Sequence, residues 1–290
     1  MAENKKKSKF PFAVLAGAIL IVLAGAAMRT VAVSERKNTL NTMTELADQR
    51  VQLIDSFIKD AKETLRIYAD APEIKKMLVD TENESTAAAA QEFTENYAEQ
   101  IDNLEGIYAS ELSTLVRTHN NSKVVGMITR SDPDSANKLV QSMLDAEDGI
   151  CNNGIVRSPA SGIPIVSLYK LISNEDENYI GFAGLGLKAD SLFKNDIPSL
   201  KSVENASYMI ISVSSHMYIF DGDPDAVDKK VTNDSLLSLC SDLNGTDASA
   251  KGNMKYTDEN GRHIAAYSYM PEYGMLVMLE GTTRSIFPFG

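Results

Sequence analysis

The feature that most constrains this chain is an uncharged apolar run near its N-terminus, residues 10–28. A helix of about 20 apolar residues is long enough to cross the hydrocarbon core of a bilayer. Lysines in a short leading segment favour keeping that end in the cytoplasm, and four precede the run: Lys5, Lys6, Lys7 and Lys9. We therefore predict a cytoplasmic basic tail over residues 1–9 and a transmembrane helix over residues 10–33. The protein would be a single-pass protein of the cell membrane, with its bulk extracellular.

The same run also fits a cleaved signal peptide. Residues 10–23 would form the apolar core of such a peptide, and the small residues at 24–26 would offer its cleavage site. The uncharged run is longer than the usual signal core of about 7–15 residues, which favours an uncleaved anchor. Both alternatives export the rest of the chain to the same side of the membrane.

The exported part of the chain is strongly acidic. The 257 residues after position 33 carry 23 basic and 39 acidic side chains, a net charge of −16. Such a surface repels nucleic acid and anionic lipid headgroups, so no nucleic-acid partner is expected. A length of 257 residues corresponds to one large or two small domains.

The chain has only two cysteines, Cys151 and Cys240. Outside the cell they could form a disulfide, but they lie in segments that we assign to separate modules. The alternative is two free thiols. No CxxC spacing is present, so a zinc or redox site has no support.

A long helical tract is predicted after the apolar run. Apolar residues recur there at intervals of three and four, which gives a helical stripe. Pro72 ends the tract, because proline disfavours helix in the residue before it. Further helices are predicted over residues 73–79 and 87–104. The stripe can pack on its own domain, pair with a second copy of the chain in a homodimer, or do both; its members are Leu40, Met43, Ala47, Ile54, Ile58, Ala61, Leu65 and Tyr68.

Beyond residue 104 the pattern changes to short β-type runs separated by turn residues. A first set of strands is predicted over residues 106–116, 123–129, 154–157, 165–169 and 179–187, with a helix over 135–145. A second set is predicted over 207–213, 216–220, 252–256, 263–269 and 275–279, with short helices over 226–230 and 235–243. Each set has the order of an antiparallel sheet with helices on one side. The predicted fold class is α+β.

Particular stretches resemble the double Cache domains of bacterial chemoreceptors and diguanylate cyclases, clostridial type. The hairpin at 155–169 (IVRSPASGIPIVSLY) looks like the central hairpin of that family, and residues 181–187 (GFAGLGL) look like its closing strand. Residues 205–210 and the hairpin at 254–269 resemble parts of the second module. The resemblance implies a helical stalk over 34–104, a membrane-distal PAS-like module over 105–196, a membrane-proximal PAS-like module over 197–284 and a tail over 285–290.

The chain departs from this family in two ways. Members that bind amino acids usually have a Tyr-x-Arg-x-Trp element in the distal helix and an aspartate in the closing strand. This chain has no tryptophan, and Gly186 stands at the aspartate position. Capture of an ammonium group by that route is therefore not expected. Family receptors also continue into a second membrane helix and a signalling domain. We expect no output domain here, as in a fragment, a truncated paralogue or a sensor that signals through a partner.

The cup of the distal module is the best candidate for a small-molecule site, because such sites are apolar concavities with a few converging polar groups. Arg130 and Arg157 lie near predicted strand ends, where a guanidinium can hold a carboxylate with two hydrogen bonds. Ser167 and Tyr169 share one face of a predicted strand. We predict that these four residues bind a small-molecule ligand. The alternative is that they are ordinary surface or hairpin residues.

No catalytic residue, metal site or cofactor is predicted. Residues 221–225 (DGDPD) lack the later glycine and glutamate of a calcium loop. The three histidines are not at ligand spacing, and the Gly-x-Ser-x-Gly pattern of hydrolases is absent. The leading prediction is an extracytoplasmic ligand-sensing domain of a chemoreceptor-like signalling protein. The alternative is a membrane-tethered or secreted binding or interaction protein without a signalling role.

Overall fold

The chain forms two compact units, each built around a five-stranded antiparallel sheet. The computed structural model describes residues 10–158, 161–189, 203, 205–223 and 226–287, without the side chains of 10–32 and 157. The first-sheet unit comprises Gln49–Asn195 and Met270–Met275. The second-sheet unit comprises Met1–Asp48, Asp196–Tyr269 and Leu276–Gly290. The predicted α+β fold with a long N-terminal helix and two antiparallel sheets is confirmed; the predicted module boundaries stay predictions.

Helix α1 (Phe10–Asp70) is the long N-terminal helix. Its apolar stripe is buried within the chain: seven of the eight predicted members are at most 1% exposed, namely Met43, Ala47, Ile54, Ile58, Ala61, Leu65 and Tyr68. The stripe therefore packs on its own chain, and pairing with a second copy stays a prediction. Where side chains are described, no helix is long and apolar enough to cross a bilayer. The predicted tail at 1–9 lies outside the described residues, as do all side chains of the predicted span except Val33.

The first-sheet unit continues with three helices and five strands. They are α2 (Pro72–Val79), α3 (Glu84–Ala98), β1 (Leu104–Ser110), β2 (Val116–His119), α4 (Pro133–Leu144), β3 (Ile150–Arg157), β4 (Pro164–Ser173) and β5 (Tyr179–Lys188). The strand order is β2-β1-β5-β4-β3. The carboxylate of Asp132 caps α4 by accepting the N–H of Ser135 at 3.0 Å. Leu139 and Met143 of α4 then pack on Phe182 of the central strand β5.

The second-sheet unit repeats this plan. Its elements are β6 (Ser207–Ser212), β7 (Met217–Phe220), α5 (Asp234–Leu243), β8 (Ala250–Asp258), β9 (Gly261–Met270), β10 (Met275–Thr282) and α6 (Thr283–Ile286). The strand order, β7-β6-β10-β9-β8, is that of the first sheet. Leu236 and Cys240 of α5 pack on Leu276 and Met278 of the central strand β10.

Three predicted elements are wrong. The strand predicted over residues 106–116 is interrupted: β1 ends at Ser110, the chain turns with Thr114 at a φ of +68°, and β2 begins at Val116. No strand forms over residues 123–129: a 3₁₀ turn occupies Ser122–Val124, and Gly126 adopts a φ of +84° that interrupts an extended ladder. A single bridge between Leu115 and Ile128 holds the segment beside β2. No helix forms over residues 226–230 either, because the chain turns there with Asp228 at a φ of +65°.

Each unit contains one buried cysteine. Cys151 lies on β3 of the first-sheet unit, and Cys240 lies on α5 of the second-sheet unit. Both thiols are free, so the disulfide considered from the sequence does not form between them.

Candidate functional site

A cavity of about 370 Å³ opens in the first-sheet unit, bounded by β1, β4 and β5 and by the segment 124–130. Three of the four predicted site residues line it: Arg130, Ser167 and Tyr169. The fourth, Arg157, lies on β3, and its side chain is outside the described part of the chain. The structure thus brings three predicted residues together around one space. Ligand binding by them stays a prediction.

Glycines in the sheet make room for two of the rings that line the cavity. A Cβ atom added at Gly184 would lie 2.5 Å from the ring of Tyr108, and one added at Gly106 would lie 3.2 Å from His119 Nε2. The absence of side chains at these positions lets both rings lie close against the sheet. The rings stack on each other, with centroids 5.6 Å apart and planes 12° from parallel. The volume that larger residues would fill is taken by these two rings, which line the cavity.

Arg130 places a cation on the cavity wall. Its backbone is fixed by the Thr114 hydroxyl, which accepts the Arg130 N–H and donates to the Arg130 carbonyl, both at 3.1 Å. The guanidinium lies 5.8 Å from the centroid of the Tyr169 ring and donates one long hydrogen bond, 3.4 Å, to Ser135 Oγ. No carboxylate in the described chain forms an ion pair with it. Because a guanidinium has five N–H donors, most of its donor capacity is unused.

Ser167 places a hydroxyl on the same wall. Strand alternation turns Ser167 to the face opposite Val166 and Leu168, and the residue is only 4% exposed. Its hydroxyl has no hydrogen-bond partner among the described residues. The hydroxyl is therefore available to donate or accept a hydrogen bond at the cavity surface.

Five further polar residues line the cavity and were missed in the sequence: Glu105, Tyr108, His119, Thr129 and Ser158. Burial lowers the pKa of His119, and the negative charge of Glu105 opposes that shift. His119 Nδ1 accepts the Asn121 N–H at 2.8 Å, so the neutral ring carries its proton on Nε2. Burial raises the pKa of Tyr108 well above its ordinary value, and the neighbouring Tyr169 adds to this. Both side chains are therefore neutral hydrogen-bonding groups at pH 7.

One sequence signal pointed to this space. Gly184 and Gly186 are two residues apart on β5 and so face the same side of the sheet. Two glycines on one face of a buried central strand mark missing volume. No comparable signal singled out Glu105, because carboxylates are frequent throughout this acidic chain.

No family model and no curated protein matches the sequence. Solved structures do match the fold. The sensor domain of the V. cholerae histidine kinase DctB superposes with a TM-score of 0.64 at 9% identity, covering 85% of this chain and 98% of that chain. The sensory domain of the Campylobacter jejuni chemoreceptor Tlp3 with isoleucine bound gives 0.62 at 16% identity, covering 88% and 97%. The ligand-binding domain of the Pseudomonas fluorescens chemoreceptor CtaA in complex with L-isoleucine gives 0.59 at 12%, covering 89% and 98%.

The fold is that of a Cache-type sensor domain. The resemblance predicted from the sequence is thereby confirmed at the level of the fold. The matching structures are sensor and ligand-binding domains rather than enzymes. Because the identities are only 9–16%, the comparison shows the fold alone, and any inference about a ligand has to come from the side chains of this chain.

Proposed function

We propose that this protein is an extracytoplasmic ligand-sensing domain of a membrane-bound signal-transduction protein. Its ligand would be a small molecule with a carboxylate, bound in the cavity of the first-sheet unit. One observation carries the proposal: the Arg130 guanidinium, without a carboxylate partner in the described chain, and the unpartnered Ser167 hydroxyl line one enclosed space.

The chemistry of the cavity suits such a ligand. A guanidinium binds a carboxylate with two parallel hydrogen bonds, and the face of Tyr169 holds the Arg130 group in place. Ile165 and Met127 give the cavity apolar wall for the remainder of the ligand. A volume of about 370 Å³ lies at the small end of ligand sites, which run from about 300 to 1,000 Å³. The Tlp3 and CtaA domains carry isoleucine, so amino acids are the first compounds to test.

Calorimetric titration of the full chain in detergent with the twenty L-amino acids and a set of small carboxylic acids tests the proposal. We expect a compound from this set to bind. Replacing Arg130 by Ala removes charge-assisted hydrogen bonds and should weaken that binding about tenfold to a hundredfold. Lys138→Ala is the matched control, because it removes one positive charge from an exposed position of α4. Binding unchanged by Arg130→Ala, or absent in a folded protein, would contradict the proposal.

The proposed location is the cell membrane, with the N-terminus cytoplasmic and the bulk outside. The uncharged run at residues 10–28, the lysines before it and the acidic remainder support this topology. Protease added to intact cells should then degrade the bulk of the chain. Protection until the cells are lysed would show the opposite orientation.

We further propose that two copies pair through α1 and that the ligand biases the packing of that pair between two states. A ligand can shift such an equilibrium only by its difference in affinity for the two states. Leu53 and Ile67, 50% and 54% exposed, support pairing because they lie fourteen residues apart on one side of α1. Sedimentation of the full chain in detergent should show a dimer, and Leu53→Asp with Ile67→Asp should weaken it. A monomer at all concentrations would exclude this pairing.

A further inference from the structure

The carboxylate of Glu105 occupies the space where a side chain at position 186 of the neighbouring strand would lie. A Cβ atom added at Gly186 would lie 3.1 Å from Glu105 Oε2 and 3.0 Å from Ile165 Cδ1. Glu105 comes from β1, whereas Gly186 lies on β5. The glycine therefore leaves the room in which the Glu105 carboxylate stands at the cavity wall.

The two oxygens of this carboxylate have different surroundings. Oε1 accepts hydrogen bonds from the hydroxyls of Ser158 and Ser161, the second at 3.0 Å. Oε2 accepts no hydrogen bond from any described residue, and no described cation forms an ion pair with Glu105. The serines thus fix the orientation of the group while one oxygen stays available to the cavity.

Two opposite charges without ion-pair partners in the described chain therefore line a single cavity, the carboxylate of Glu105 and the guanidinium of Arg130. Partly desolvated charges are costly unless a group of opposite sign compensates them. A simple carboxylate ligand would compensate Arg130 but would be repelled by Glu105. A ligand with a carboxylate and an amine compensates both.

We propose that the ligand is a zwitterion whose amine is bound by Glu105 Oε2 while its carboxylate is bound by Arg130. This inference rests on the proposed function and adds the amine and the residue that selects it. Sites built to hydrogen-bond a polar group of the ligand discriminate strongly against analogues that lack the group. Glu105 is thus the specificity-determining residue for amine-bearing ligands.

The test compares each amino acid with the acid that lacks only its amine. The probes are the twenty L-amino acids and γ-aminobutyrate; the amine-free partners include 3-methylbutanoate for valine and butanoate for γ-aminobutyrate. Each is titrated calorimetrically into the full chain in detergent. We expect an amino acid to bind at least about tenfold more tightly than its amine-free partner, since a hydrogen bond between charged groups is lost with the amine.

Glu105→Gln should reduce that preference by about tenfold to a hundredfold. Glutamine keeps an oxygen that can accept the serine hydrogen bonds, so the fold should be retained. Glu175→Gln is the matched control, because Glu175 is an exposed carboxylate in the turn between β4 and β5. It should leave the preference unchanged.

A rescue variant separates loss of charge from loss of structure. Glu105→Ala combined with Gly186→Asp places a carboxylate in the same space from β5, since the nearest atom other than Glu105 is the flexible end of Ile165. Recovery of the amine preference in this variant, relative to Glu105→Ala alone, supports the inference.

If the amine-free acid binds wild type as tightly as its amino acid and Glu105→Gln changes nothing, the inference is overturned while the proposed function stands. If no probe binds and Arg130→Ala is without effect, the proposed function fails as well.

Discussion

In the first sheet the central strand β5 presents Gly184 and Gly186 to one face, whereas the central strand β10 of the second sheet presents Met278 and Glu280. The cavity side of β4 carries Ser167 and Tyr169, and one face of β9 carries His263 and Ala265. The strand order is identical in the two sheets. The size of a few side chains, rather than the topology, therefore decides where a cavity can open.

The carboxylates of Glu280 in the second-sheet unit and Glu105 in the first-sheet unit differ in their hydrogen bonds. Glu280 Oε2 accepts the Tyr256 hydroxyl at 2.9 Å and contacts His263 Nδ1 at 2.6 Å, while His263 Nε2 contacts Asp258 at 3.0 Å. The His263 residue is only 7% exposed and stacks on Tyr256 with centroids 4.8 Å apart. Glu280 is thus bonded within its own unit, whereas Glu105 keeps one oxygen open. The closed cluster, formed by Glu280, Tyr256, His263 and Asp258, stabilises the second-sheet unit through hydrogen bonds among its own members. The free oxygen of Glu105 instead leaves a hydrogen-bond acceptor available for a ligand.

The largest effect on ligand binding is expected from Gly184→Met, which gives β5 a methionine like Met278 of β10. In Gly184→Met the new side chain meets the Tyr108 ring, which His119 and Phe182 already hold from other sides. The ring must move into the cavity, so ligand binding should be lost, and overpacking should cost about 1–3 kcal/mol. Calorimetry and thermal melting measure the two effects.

The matched glycine for this experiment is Gly252 on β8. A Cβ atom there would lie 3.1 Å from the hydroxyl end of Tyr267, a contact that a small shift of the ring relieves. Gly252→Ala should keep ligand binding. Full binding by Gly184→Met would show that the position of the Tyr108 ring does not control access to the cavity.

The second effect concerns the closed cluster. His263→Ala leaves the carboxylates of Glu280 and Asp258 without the ring between them and should destabilise the protein by about 1.5–3 kcal/mol, the range for hydrogen bonds to charged groups. Ligand binding should not change. Chemical denaturation measures the loss, and His216→Asn serves as the control because His216 lies in a turn at a φ of +55°, which asparagine tolerates. Equal stabilities of the His263 variant and wild type would remove the contrast between the units.

The third effect is a dependence on pH in the first-sheet unit. Burial lowers the pKa of His119 below its ordinary value of 6.5. As pH falls through 6.5, the unfolded chain takes up the proton before the folded one does, so stability is full above that range and declines toward the lower folded pKa. His119→Phe keeps a ring against Tyr108 and cannot titrate. Thermal melting between pH 5 and 7.5 should show a shallower decline for the variant than for wild type; parallel curves would contradict this assignment.

The smallest effect is expected from Ser167→Ala. Because the hydroxyl has no protein partner in the described chain, its removal should change the free energy of unfolding by less than about 0.5 kcal/mol. The affinity for the ligand should nevertheless fall about threefold to tenfold, as for the loss of one neutral hydrogen bond. Melting and calorimetry on the same samples separate the two quantities. A clear loss of stability with unchanged affinity would assign Ser167 to the fold instead.

Much of this architecture could be read from local patterns. The stripe on α1, the proline break at Pro72 and the alternation in β4 each predicted an element that the structure contains. Where a local pattern was ambiguous the prediction failed: the apolar residues of 123–129 suit a strand, but Gly126 turns the chain out of the ladder.

The site was only half predictable for a related reason. Ser167 and Tyr169 could be found because strand alternation places them. Arg130 lines the cavity as predicted, although the strand predicted before it, over residues 123–129, does not form. Glu105 and His119 join the cavity through the pairing of β1 with β5 and β2, which brings together residues far apart in the chain. Such pairings depend on the whole sheet, and no short stretch of sequence encodes them.

Each unit contains one free cysteine whose rate of alkylation can report local unfolding of that unit. Cys151 and Cys240 are enclosed, one per unit, and burial raises the pKa of Cys240 to about 11. An alkylating reagent attacks the thiolate, so its rate at each position reports how often that unit opens. Mass spectrometry of the two labelled peptides can therefore time local unfolding of the first-sheet unit and the second-sheet unit in one sample, without any engineered probe.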